Sequence, residues 1–249
     1  MIRKQVEHTN KPNMKTSLHT TTSLILLTAI LSLSTAHAAV MTPIGTVNNN
    51  DTVTAIYGTG NPNGSWVTAT TVDGVSVGLR LKERSTANYG TTDGLGGTTF
   101  MVGTHVNLDF TVSSGPNPLS GYKFNLSFDN DPSSAQNWIT IDVTTMYTDN
   151  SFGTSSTPNG AGIEGTWATL AGSNTIAQNS QRSFWLTIPG NPAPNIGIYD
   201  FALTAYIVAN PSCPVAQSVS TLTVVPEPSS SVALGVAAIG FAGLRRRKH

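Results

Sequence analysis

The sequence predicts an all-β fold: an antiparallel two-sheet β-sandwich, immunoglobulin-like or jelly-roll, flanked by an N-terminal signal peptide and a single C-terminal transmembrane helix. Three observations predict it. Apolar residues between positions 39 and 225 recur with a period of two. Clusters of Gly, Asn, Pro and Asp separate the alternating runs. Two unbroken apolar runs lie near the ends, one followed by small residues and the other by a basic block.

The first apolar run, "LILLTAILSL" at residues 24–33, follows Lys15 and precedes "TAHAA". Ala36 and Ala38 supply the small side chains that signal peptidase needs at −3 and −1, so cleavage is expected after Ala38 and residues 1–38 read as the signal peptide. The run is too short for a bilayer, which takes roughly 20 apolar residues. Met14 also opens a leader of ordinary length.

Residues 39–225 read as one extracytoplasmic domain, long enough for a real core. "VSVGLRLKER" places Val75, Val77, Leu79 and Leu81 on one face and Arg80, Lys82 and Arg84 on the other. "HVNLDFTV" sets Val106, Leu108, Phe110 and Val112 against His105, Asn107 and Asp109. "GYKFNLSF", "SFWLTI" and "IYDFALTAYIV" repeat the pattern, and further strands are expected at 52–57, 66–72, 138–143, 165–170 and 218–225. Each strand should keep one face in solvent, which favours antiparallel over parallel sheets. Turn clusters such as "GTGNPNG", "SSGPNP" and "DNDPSS" supply positive φ and missing ladder donors at the chain reversals. The lone Cys213, in "PSCP", is expected in a loop and forms no internal disulfide.

The formal net charge of zero hides a segregation. Residues 39–225 hold five basic residues against eleven acids, a net charge of −6, whereas both termini are basic. A mildly acidic domain without a basic patch excludes nucleic acid as a partner. It also offers little to catalysis: His105 is its only histidine, there is no "GxSxG" turn, and Glu83 and Glu164 are its only glutamates. No catalytic residue and no cofactor are expected. Asp129 and Asp131 in "FDNDPS" and Asp149 in "YTDNS" are weak calcium candidates, although the same residues serve ordinary turns. Of the four tryptophans, Trp185 falls on the face opposite Phe184, Leu186 and Ile188 and is the candidate carbohydrate contact; the other reading places the indoles in the core.

The C-terminal run "VVPEPSSSVALGVAAIGFAGLRRRKH" has three parts. Pro226, Glu227 and Pro228 break secondary structure. Residues 229–244 are a short candidate transmembrane helix. Arg245, Arg246, Arg247 and Lys248 then stop translocation and hold the C-terminus in the cytoplasm.

This order of triplet, apolar helix and basic cluster resembles the PEP-CTERM sorting signal of exosortase substrates and departs nowhere from that pattern. "IYGTGNPNGSW", "GLRLKER" and "FDNDPS" also look like the mature domains of uncharacterised members. The resemblance implies a Gram-negative bacterium making extracellular polysaccharide, and processing by signal peptidase and then an exosortase near Pro226–Pro228. The protein would be held transiently in the inner membrane and then reach the surface or the medium. The reading that follows is a non-enzymatic structural protein of the exopolysaccharide or biofilm matrix. The alternatives are a surface-displayed carbohydrate-binding module and a polysaccharide-active hydrolase.

Overall fold

The computed structural model describes residues 41–133, 135–182 and 193–227. The leader with Ala36 and Ala38, the "SFWLTI" run with Trp185, Pro228, the 229–244 helix and Arg245–Lys248 lie outside the described residues.

The two strongest alternating runs become neighbouring strands, β3 (Val75–Glu83) and β6 (Val106–Ser114). They pair antiparallel so that Val77 faces Val112, Leu79 faces Phe110 and Leu81 faces Leu108. Because side chains alternate strictly along a strand, this register also puts Arg80 opposite Asp109 and Lys82 opposite Asn107 on the other face. Around this pair β1 (Thr46–Asp51), β2 (Trp66–Thr70), β9 (Asn150–Gly153), β10 (Ile163–Gly165) and β11 (Ile176–Gln181) complete a sheet ordered β1-β2-β3-β6-β11-β9-β10.

The second sheet is ordered β4-β5-β13-β12-β7-β8. It comprises β4 (Thr91–Thr92), β5 (Gly97–Met101), β7 (Tyr122–Asp129), β8 (Trp138–Asp142), β12 (Gly197–Ile207) and β13 (Asn210–Val225). The two inner faces share one core, in which Val77, Leu79 and Phe110 join Phe124, Leu126, Phe201, Leu203 and Leu222. Each such fully buried side chain contributes about 1.5–3 kcal/mol, which suits a domain without disulfides.

The fold is mostly β in two sheets, as the alternation predicts, and four local expectations are corrected. The second sheet is mixed, because β13 runs parallel to β5, from Thr221 opposite Gly97 to Val225 opposite Met101. Residues 52–57 form no strand. They cross the outer face of the first sheet, where Ala55, Ile56 and Tyr57 are buried as a covering arm. Residues 165–170 split into the end of β10 and a single helical turn, α2 (Trp167–Leu170), which follows the similar turn α1 (Val143–Met146). Cys213 lies within β13 and not in a loop. Pro211 and Pro214 are tolerated beside it because β5 pairs with β13 only from Thr221 onward, leaving this end of the strand without a neighbour on that side.

Candidate functional site

The outer face of β3 and β6 is not solvated. Arg80 is 1% exposed, Lys82 4% and Asp109 0%. The arm at residues 52–64 covers them, and its main chain finds partners without entering a ladder. Ile56 N–H donates to Gln178 Oε1 at 2.8 Å, Gln178 Nε2 donates to the Thr54 carbonyl at 2.9 Å, and Ala55 N–H donates to Asn63 Oδ1 at 2.9 Å. The amides of Gly160 and Gly162 donate to the carbonyls of Ala55 and Ile56, both at 2.9 Å. A Cβ at Gly162 would stand 2.8 Å from the Ile56 carbonyl oxygen, so this approach requires glycine.

Under the arm, every N–H group of Arg80 is engaged. Nε donates to Asp109 Oδ2 at 3.0 Å, and Nη1 donates to the carbonyls of Pro62 at 2.8 Å and Gly64 at 3.0 Å. Nη2 lies 2.9 Å from Asp109 Oδ2 and donates to Tyr57 Oη, which itself donates to Asp109. The guanidinium stacks 4.3 Å from the Trp66 ring centroid and 5.4 Å from that of Tyr89. Lys82 Nζ donates to Asn61 Oδ1 at 2.7 Å and stands 3.9 Å from Asp109 Oδ2.

Burial and the neighbouring Asp109 charge push the Tyr57 hydroxyl far up, so it stays a neutral donor. Burial opposes the Arg80 charge most strongly, but Asp109 together with Tyr57 and Tyr89 outweighs it and raises that group. Burial lowers Lys82, and Arg80 adds to the effect, against the pull of Asp109. Trp66 Nε1 and Asp109 Oδ1 have no hydrogen-bond partner among the described residues. The alternation marked Arg80 and Lys82 as solvated, and this cluster is what that reading missed. The one sequence signal was that a domain with few charges places two cations, Arg80 and Lys82, on the same face of one strand.

At the other functional end, Leu222 and Val224 of β13 are core residues, 0% and 2% exposed. The Val225 carbonyl accepts from Val102 N–H at 2.8 Å, and Pro226 and Glu227 then leave the sheet and are exposed. Glu227 borders a groove with Glu83, Asn88 and Thr104. The triplet therefore begins directly at the last sheet residue, with no linker between.

Residues 224–248 match the family description "PEP-CTERM protein-sorting motif". The chain carries a PEP-CTERM motif. This marks an exported protein with a C-terminal membrane-anchor region, and exosortase as the enzyme that recognises it. No curated protein matches the chain. Among solved structures it is similar to the CooA pilin subunit from enterotoxigenic Escherichia coli, at 10% identity over 60% of this chain and 99% of that one. The TM-score of 0.22 carries no argument about fold or function. Among the described residues no helix is long and apolar enough to cross a membrane.

The remaining candidates are scattered. Asp129 is buried at the end of β7, with Oδ1 accepting from the amides of Asp131 at 3.0 Å and Asn137 at 2.8 Å. Asp131 caps the next turn by accepting from Ser133 N–H, which holds its carboxyl below the usual range. Asp149 serves the first sheet instead, accepting from Asn179 Nδ2 at 3.0 Å. With burial, its charge pushes the neighbouring Tyr147 hydroxyl up to about 12. Among the described residues no group of three or more His, Cys, Asp or Glu is placed to hold a metal. EDTA or reductant is therefore expected to move the melting temperature by less than about 2 °C, whereas a bound cation would make EDTA cost several times that. Calorimetry with and without chelator decides it.

Trp66 is buried in the arm cluster, and Trp167 packs edge-on against Phe124 and Phe152 with centroids 5.7 and 5.5 Å away. Trp138 is half-buried on β8, and its Nε1 donates to Gln136 Oε1. His105 is exposed immediately before β6, and Glu164 is exposed on β10.

Proposed function

We propose that this is a non-enzymatic structural protein of the extracellular matrix, sorted by exosortase and associated with exopolysaccharide or biofilm. In this reading residues 1–38 are removed by signal peptidase at Ala36–Ala38, residues 39–225 are the delivered sandwich, and residues 226–249 are the sorting signal. Pro226, Glu227 and Pro228 are the recognised triplet. Residues 229–244 span the inner membrane, and Arg245, Arg246, Arg247 and Lys248 hold the C-terminus in the cytoplasm. The match of residues 224–248 to the sorting motif carries the reading. The domain itself supports it: its most densely charged group, around Arg80 and Asp109, is sealed beneath the arm and bonded to its own main chain.

A carbohydrate-binding module is the second reading. It is favoured by a cleft of about 230 Å³ lined by Asn49, Asn50, Tyr89, Thr92 and Ser220, which sets an aromatic ring beside amide and hydroxyl groups. Glycan arrays probed with the released protein separate the two. The structural reading predicts co-sedimentation with the host's own exopolysaccharide and uniformly weak array signals. A discrete hit lost in Trp185→Ala or Tyr89→Ala would replace it with the binding module. Release of reducing ends from polysaccharide, or ester hydrolysis, would instead establish a hydrolase.

A further inference from the structure

The buried cluster leaves a charge unbalanced. Arg80 and Lys82 are both cations, Asp109 is the one carboxylate they meet among the described residues, and its Oδ2 already serves Arg80 and Tyr57. Holding a second ammonium in a site 4% exposed is costly unless it is paired or neutralised. What Lys82 Nζ touches is the side-chain amide of Asn61, at 2.7 Å, with the carboxylate of Asp109 3.9 Å away and the Tyr57 ring centroid 5.9 Å away. A lysine amine, a carboxamide and a carboxylate thus meet beneath the arm among aromatic rings.

We propose that Lys82 and Asn61 join in an intramolecular isopeptide bond, formed by the folded domain itself and stapling the arm to the central strand β3. Asp109, whose Oδ2 stands 3.9 Å from Nζ, is the proton acceptor. Nζ gives up one proton to this carboxylate and attacks Cγ of Asn61 as a neutral amine. The Nζ–Cγ bond forms, Nζ sheds a second proton, and the Cγ–Nδ2 bond breaks. The departing nitrogen takes both protons and leaves as ammonium, so no oxidant, reductant or other reactant is required. Burial lowers the proton affinity of Lys82, which favours the reactive form. In the unreacted amide Nδ2 donates to the Tyr57 carbonyl at 3.0 Å, which turns the leaving group away from Lys82. The product replaces a buried ammonium by a neutral amide and leaves Arg80 and Asp109 as a balanced pair.

The bond would also supply what the cysteines do not. Cys213 is the only cysteine of the sequence, and it is exposed. A covalent tie between residues 61 and 82 closes the arm over its sheet in an exported protein without a disulfide.

Tryptic digestion of the full-length or released protein, followed by fragmentation mass spectrometry, tests this. The expected result is no cleavage after Lys82. Residues 81–84 should stay joined to the peptide containing Asn61, at a mass lower than the sum by one ammonia. Lys82→Arg and Asn61→Ala should each abolish the species, and Asn61→Asp should restore it with loss of one water. Two results overturn the proposal: recovery of an unmodified Lys82 peptide from folded wild-type protein, or an ammonia loss that persists in Lys82→Arg. The latter would place the loss in a succinimide at Asn63–Gly64.

Discussion

Replacing Asp109 with alanine is expected to cost the domain about 3–5 kcal/mol, enough to unfold much of it near its working temperature. The carboxylate is fully buried and touches Arg80, Lys82 and Tyr57 together. Its removal leaves the buried Arg80 without its carboxylate partner among the described residues and strips the acceptor from the Tyr57 hydroxyl. Arg80→Ala should cost less, because it also removes a charge that needed compensation. Its carbonyl partners at Pro62 and Gly64 lie in the arm, which should loosen first. Urea titration followed by tryptophan fluorescence reads both variants, since Trp66 stacks on Arg80. A change below about 1 kcal/mol in Asp109→Ala would mean that the cluster does not hold the arm.

Glu227→Gln is expected to reduce the extracellular protein by about tenfold or more, equivalent to about 1.4 kcal/mol of lost recognition. It should leave a larger, membrane-retained species. Glu227 is exposed and outside the sheet, so the change leaves folding untouched and what it alters is recognition. The preceding residues behave differently, because Val224 is buried and Val225 is still hydrogen-bonded to Val102. Substitutions at Val224 should act on stability, whereas those at Glu227 act on sorting. Immunoblots of membrane and medium fractions separate the two effects.

The alternation in residues 75–83 and 106–114 gave away both strands and the apolar face of each, whereas their pairing, with Leu79 opposite Phe110, is set by the fold because a shift of two residues keeps the same faces inward. What it could not reveal was a third element lying on the outer face. Residues 52–57 alternate as a strand would, but their amides are met by the side chains of Asn63 and Gln178, the latter far along the chain. Local pattern carries no sign of such partners. The same limit hid the burial of Arg80 and Lys82, whose solvated reading follows from one sheet viewed alone. The parallel pairing of β13 with β5 depends on how the C-terminal strand enters between its neighbours, a matter of topology. The sorting segment was legible because its chemistry is linear: a rigid triplet, an apolar run and a basic stop.

Intact-mass analysis of the protein recovered from the culture medium tests the sorting account most directly. The account predicts a chain that begins at Ala39 and ends near Pro226–Pro228, without the basic block at Arg245–Lys248. A mass that still includes His249 would contradict it.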